Sequence, residues 1–304
     1  MKKYLGIDIG GSKVLLGVVS SDGEILSIVR KDYNKAFTRT ELQNDLKILK
    51  RSINLEGVES GGASIPGLAD IKKGVFVAAP FIKERDWYIA KDLSDIFEIP
   101  FVIDNDVNCS LLAEKKFGLA KDLSDFVWLT FSNGVGSAIM LNNEIYRGPN
   151  GFAGEIGHMN IGSKKRCDCG NIGCLETVSS GRGISSEYFD LTGEQLSAKD
   201  IAVLARKGNV NALYVYENSG KAIGTAISYI VNILNINHFI IGGGVSMDFD
   251  LFINQIRDSA LNHIYRAANN DITVEKTALG YNACLIGAAT LPMLYIKDQD
   301  YNEK

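Results

Sequence analysis

The chain has 304 residues, 46% of them apolar, with 32 Lys and Arg set against 36 Asp and Glu for a formal charge of −4. That balance provides no basic stripe of the kind that binds nucleic acid or a membrane surface. The length exceeds one comfortable core, so two domains are expected.

The opening MKKYLGIDIGGSK has too short an apolar run for a secretory signal, and Asp8 and Lys13 break it, so a cytoplasmic location is expected. Strands are predicted at 4–9, 14–20 and 24–30, separated by Gly10-Gly11 and Asp22-Gly23 as hairpin turns require. Thr38 can cap a helix reaching about residue 53, with Glu41 completing a capping box. A strand at 58–65 ends at Pro66-Gly67, and 89–97 has helical period. A strand at 101–104 runs into Asn105-Asp106 and a helix at 107–117.

The pattern then restarts with a strand at 125–131, a polar glycine turn at 132–136 and a strand at 137–141. Helices follow near 198–207, 210–234, 251–267 and 284–296, around a strand at 238–241. Asn232, Asn235, Asn237 and His238 interrupt the apolar run at 227–245, which reads as a buried helix and then a buried strand rather than a membrane span. Strand blocks followed by helices, twice over, predict an α/β fold of two related halves. The expected division is a small N-terminal domain over 1–120 and a larger C-terminal domain over 121–304. The last helix, about 284–304, is expected to cross back to the first half.

Three of the five cysteines fall in the Cys-x-Cys-x4-Cys stretch of Cys167, Cys169 and Cys174, with His158 upstream. Imidazole and thiolate are ligands that zinc prefers, and four protein ligands mark a structural site. Gly170 and Gly173 supply the permissive backbone that a tight metal loop needs. A disulfide or a cluster of free thiols is the alternative, and without an export signal the disulfide is disfavoured. Cys109 and Cys284 read as plain core residues, and Lys164-Lys165-Arg166 as a solvated loop. A zinc-bound His158 could offer its other ring nitrogen to a ligand, beside Glu155.

Asp8-Ile9-Gly10-Gly11-Ser12-Lys13 places glycine N–H groups and a hydroxyl in a turn that can meet phosphate oxygens. Asp8 can hold Mg²⁺ through water. The Gly-x4-Gly-Lys-Ser/Thr spacing is absent, and a lone Gly-Gly hairpin is usually just a turn. Asn133, Gly134 and Gly136 form the matching turn in the second half, and Gly242-Gly243-Gly244 leaves bare backbone after a strand. Asp106 could accept a hydroxyl proton as that oxygen attacks phosphorus, with Asn105 holding a neighbouring hydroxyl. Asn and Asp are equally good helix caps.

In order, the blocks DIGGSK (8–13), SIPGLAD (64–70), DNDVN (104–108), the turn after Thr130, AGEIGH (153–158), CDCGNIGCLE (167–176), IIGGGV (240–245) and LGYNACLIGAA (279–289) resemble the ROK family of repressors, open reading frames and kinases. The resemblance implies two ribonuclease-H-like, actin-like ATPase domains with a cleft between them. It implies ATP-dependent phosphorylation of a hexose hydroxyl, usually the 6-hydroxyl, with Mg²⁺ accompanying ATP and Asp106 as the base. It implies that Asn105, Glu155, His158, Glu176 and backbone near Gly67 hold the sugar. Gly10–Ser12 and Asn133–Gly136 would contact phosphates, Gly242–Gly244 would lie by the nucleoside, and zinc would shape the sugar side. A homodimer is also implied.

The chain departs from the family pattern at Ser12, Asn133, Ser137 and Ala138, at Phe81 where an Asn is frequent, and at Asn282 where an Asp is frequent. Phe81 leaves the sugar open among glucose, N-acetylmannosamine, N-acetylglucosamine, fructose, mannose and allose. Regulators of this family carry a helix-turn-helix before the first phosphate motif, and only seven residues precede Asp8, so a kinase is expected over a sugar-sensing regulator. A sugar binder that has lost phosphoryl transfer is the third reading.

Overall fold

The computed structural model describes residues 1–34, 37–79, 82, 84–267, 269 and 271–296. Phe81 and the tail of the expected last helix, 297–304, lie outside them. Two compact units are present. One comprises Met1–Asp122, Gly148–Phe152 and the stretch beginning at Asn282; the other comprises Leu123–Arg147 and Ala153–Tyr281.

In the first unit the chain runs β1 (Lys3–Ile9), β2 (Lys13–Ser20), β3 (Ile25–Asp32), α1 (Arg39–Lys50), β4 (Val58–Ile65), β5 (Leu68–Asp70), β6 (Val75–Ala78), α2 (Ile89–Phe97), β7 (Phe101–Asn105) and α3 (Asp106–Phe117). The second unit holds β8 (Phe126–Phe131), β9 (Val135–Leu141), β10 (Glu144–Ile145), α4 (Glu176–Ser179), α5 (Gly181–Thr192), α6 (Ala198–Arg206), α7 (Val210–Leu234), β11 (His238–Gly242), α8 (Ile253–His263) and β12 (Thr273–Lys276). The last helix, α9 (Ala283–Tyr295), belongs to the first unit.

The two main sheets share one topology. Their strand orders are β3-β2-β1-β4-β7 and β10-β9-β8-β11-β12. In each, an antiparallel three-stranded meander is extended by two parallel strands. Parallel pairing aligns the C-terminal ends of β1, β4 and β7, and separately those of β8 and β11, and loops that follow such ends are where α/β folds collect ligands.

Local chemistry explains the elements. Thr38 and Glu41 form the reciprocal capping box at α1, with Glu41 Oε2 accepting from the Thr38 N–H at 2.7 Å. Alternating half-buried and exposed positions over most of β3 match an edge strand with one wet face. Asn235 takes a left-handed φ of 57° and ends α7, so the apolar run at 227–245 divides into helix and strand. No helix among the described residues is long and apolar enough to cross a membrane.

Helix α9 is apolar nearly all round and buried over most of its length. It lies on β1 and β4 because those strands carry glycine beneath it. A Cβ at Gly62 would collide with the Ala288 carbonyl oxygen, and one at Gly6 with that of Leu285. The helix carries its own glycine against α3, where a Cβ at Gly287 would collide with the Cys109 carbonyl. The residue pattern alone predicts no element at α5, because Gly181 and Gly183 suppress helix propensity. The structure forms it all the same: the Ser180 hydroxyl accepts from the Gly183 N–H at 3.0 Å, and Gly183 packs on the α4 backbone where a side chain would not fit.

Candidate functional site

In the first unit, register places Asp8, Ser64 and Asp104 side by side on β1, β4 and β7. Ser64 Oγ donates to Asp8 Oδ1 at 3.2 Å, and Lys13 Nζ lies 3.6 Å from Asp8 Oδ2. Burial raises the Asp8 carboxyl above its ordinary range, and Lys13 opposes that rise. Asp104 is fully buried and accepts from the Asn105 N–H at 2.7 Å and from Asn108 Nδ2 at 2.9 Å, which makes it a brace for the strand-to-helix corner.

Asn105 caps α3 by accepting from the Val107 N–H at 3.0 Å, and its Nδ2 donates to the Gly67 carbonyl at 2.8 Å. Gly67 has φ of +73°, and a side chain there would strike the Ala78 carbonyl and Ala79. Capping and ligand-holding are therefore compatible roles for Asn105, since each of its side-chain ends retains capacity. Asp106 follows at the first helical position, half-buried. Desolvation first, and the Asp8 charge second, push its carboxyl up to about 6. Gly10 closes the β1–β2 turn through its N–H to the Lys13 carbonyl at 2.9 Å and leaves Gly11 and Ser12 exposed.

In the second unit, the equivalent β8–β9 turn is closed by the Ser132 N–H to the Gly134 carbonyl at 2.9 Å, with Asn133 exposed. Glu176 reaches under this turn. Its Oε2 accepts from the Val135 N–H at 3.0 Å, in space that a side chain at Gly134 would invade. Arg182, which no sequence motif singles out, donates through Nε to the Asn133 carbonyl at 2.9 Å. Its other nitrogens lie 3.0 Å from Asp168 and 3.7 Å from Glu176. Gly136 follows in β9, half-buried and paired with Thr130. At the end of β11, Gly242 faces the Trp128 ring, Gly243 has φ of +88° against the Phe131 carbonyl, and Gly244 would meet nothing within 4 Å of an added Cβ.

His158, Cys167, Cys169 and Cys174 converge, their ligand atoms all within 4.8 Å of one another. Cys169 and Cys174 sulfurs are 3.6 Å apart, and Cys167 Sγ is 3.7 Å from His158 Nδ1. A tetrahedron with metal–sulfur bonds of about 2.3 Å has edges of about 3.7 Å, so the donor set fits one four-coordinate ion. No disulfide is formed, as 3.6 Å is far beyond a sulfur–sulfur bond of about 2.05 Å. His158 Nε2 points the other way, 4.0 Å from Glu155 Oε2. Two expectations change here. The 164–166 run is exposed at Lys164 and Arg166, but Lys165 is half-buried and bonds Asp190 at 2.8 Å and Ser186 at 3.1 Å, tying this loop to α5. Cys284 is no plain core residue: its sulfur touches the Asp106 carbonyl and the Ser110 hydroxyl.

Glu155 thus meets His158, Glu176 meets the second glycine turn, and Asn105 meets Gly67 within the first unit. Ser64 opens the SIPGLAD block, but its role depends on register across three strands, which the motif alone does not reveal.

The chain matches the ROK family over residues 4–293. A glucokinase of Halalkalibacterium halodurans is 30% identical, over 95% of this chain and 94% of its own length. The xylose repressor of Bacillus subtilis is 29% identical over 78% of this chain, which spans 62% of that protein's length. A ROK family glucokinase from Streptomyces griseus, solved in complex with glucose and AMPPNP, superposes with a TM-score of 0.84 at 27% identity, covering 95% of this chain and 98% of that one. The fold is therefore that of the ROK sugar kinases, α/β with two actin-like ATPase domains on ribonuclease-H-like cores, matching the two sheets of shared order. Fold, motif order and sequence agree: the chain belongs to the ROK family.

Proposed function

We propose that the protein is an ATP-dependent hexose kinase acting on the 6-hydroxyl. The carrying observation is the Asp106 carboxyl, desolvated, beside Asp8, and raised to about 6. A base with that value is ionised at neutral pH and still basic enough to take a proton from an alcohol as its oxygen attacks the γ-phosphorus. The hydroxyl proton passes to Asp106, the new P–O bond forms, and ADP leaves with the electrons of the broken bond.

Asn105 and the Gly67 carbonyl are assigned to sugar hydroxyls, as are Glu155, His158 and Glu176. Gly10, Gly11, Ser12 and Lys13 are assigned to phosphate contacts, with Asn133, Gly134 and Gly136. The bare backbone of Gly242, Gly243 and Gly244 suits the nucleoside. Magnesium arriving with ATP fits Asp8, because a cation relieves the repulsion between two neighbouring carboxylates. Zinc fits the four-ligand cluster as a structural ion that stiffens the loop bearing His158 and Glu176. Glucose is the first substrate proposed, in line with the glucokinases among the relatives. N-acetylmannosamine, N-acetylglucosamine and fructose follow. A homodimer is proposed as the working assembly.

The competing reading is a non-catalytic sugar sensor, which the xylose repressor relative favours. Coupled ADP release over a panel of hexoses and N-acetylhexosamines separates the two. The kinase reading expects one sugar to be turned over far above the others. Sugar binding by calorimetry with no ADP release for any member would replace the kinase with the sensor.

A further inference from the structure

Cys284 lies in the first turn of α9, seated by the glycine contacts on β1 and β4. Its sulfur is 3.3 Å from the Asp106 carbonyl oxygen and 3.1 Å from Ser110 Oγ. Ser110 Oγ donates to the same carbonyl at 3.0 Å. The Ser64 hydroxyl also reaches the thiol, and Ser64 is the residue that donates to Asp8 Oδ1. One sulfur therefore stands beneath the first turn of α3, joined to the supports of both carboxylates. Gly287 locks α9 against the Cys109 backbone, so α3 and α9 cannot slide independently.

We propose that Cys284 is a positioning residue for Asp106: together with Ser110 it holds the Asp106 peptide and so fixes the direction in which α3 presents the carboxyl. The inference rests on the assignment of Asp106 as the base. A misplacement of about 1 Å in a reacting group can cost about a hundredfold in rate, so a support of this kind matters beyond its own bond energy. The titratable groups that face Asp106 are Asp8 from β1, with Lys13 beside it on β2, Cys109 from α3 and Cys284 itself. Burial holds both thiols well above their ordinary values, so neither carries a charge where Asp106 titrates.

The test compares Cys284→Ala, Cys284→Ser, Ser110→Ala and the double variant Cys284→Ala/Ser110→Ala. Side-chain carboxyl carbon NMR follows Asp106, assigned by its loss in Asp106→Asn. In the parent the midpoint is expected near 6. In Cys284→Ala water reaches the loosened turn, and the midpoint falls by about half a unit or more. Cys284→Ser keeps a donor and stays near the parent. With the sugar that the parent turns over, kcat of Cys284→Ala falls about tenfold while both KM values stay within about twofold.

A Cys284→Ala protein that keeps the parent midpoint overturns the proposal. Should that variant not fold, the same midpoint shift is sought in Cys284→Val, which also removes the donor to the Asp106 carbonyl, and its absence there is equally decisive. The titration needs no turnover. A parent inactive on every hexose would defeat the kinase reading, and the NMR midpoints would still decide whether Cys284 positions Asp106.

Discussion

The same strand order builds both units, yet their strand ends carry opposite chemistry. In the first unit the row at the ends of β1 and β4 reads Asp8 and Ser64, with Asp104 next and Asp106 one step beyond. In the second unit the corresponding row is Thr130 and Gly242, with Thr277 just past β12. One platform gathers carboxylates, and desolvation raises Asp8 and Asp106 among them; the other offers uncharged side chains and bare backbone. A duplicated core supplies two places where loops meet strand ends. What is mounted there differs, and the difference fits the proposed division of proton and cation chemistry in the first unit from nucleotide holding in the second. The second unit adds a His158, Cys167, Cys169 and Cys174 cluster able to hold a metal, which needs no strand end at all.

That contrast can be broken by exchanging what the two rows carry. Asp8→Asn removes the first unit's proposed cation ligand, and kcat is expected to fall about a hundredfold or more, with a raised requirement for Mg²⁺. Steady-state kinetics across a magnesium series reads both. Cys169→Ser acts on the second unit alone. Metal analysis is expected to drop from about one zinc per chain to none, and stability to fall by about 3 kcal/mol or more. Full activity with an empty site would remove the metal from the account.

Gly244→Val sharpens the comparison further. Nothing lies within 4 Å of a Cβ added there, so the branched side chain starts in open space and the fold should tolerate it. If the nucleoside rests there, KM for ATP rises about tenfold, or about 1.4 kcal/mol, while kcat stays near the parent. A parent-like KM would move the nucleoside elsewhere.

Asp106 itself adds a stability change with a definite sign. Asp106 is raised in the folded state, so folding favours its protonated form, and that contribution is present below pH 4 and lost as pH rises through about 6. At pH 7.5 Asp106→Asn should therefore be more stable than the parent by about 2 kcal/mol, discounted for partial exposure. The difference should vanish below pH 4. Thermal melts at the two pH values check it.

Much of this was legible locally. The glycine turns at Gly10-Gly11 and at 132–136 are visible because a turn needs only a few consecutive residues. The His and Cys cluster is visible because its three cysteines fall within eight residues and His158 lies close by. The Asn105-Asp106 junction declared itself as a cap, and it is one. What escaped depends on distant parts of the chain. Ser64 matters through register with β1. Glu176 is named by its motif, but its hold on the β8–β9 turn, like that of Arg182, depends on α4 and α5 returning to that turn. Cys284 looked aliphatic in its helix because its neighbours in sequence are apolar, whereas its neighbours in space are a carbonyl and two hydroxyls. Helix α5 hid behind two glycines whose use is close packing.

The central claim is that the Asp106 carboxylate takes the proton from a hexose hydroxyl during transfer from ATP. Single-turnover phosphoryl transfer by Asp106→Asn, with sugar binding measured on the same protein by calorimetry, tests it most directly. The expected result is a rate lower by about a thousandfold with sugar affinity within about threefold of the parent. A parent-like transfer rate in that variant would contradict it.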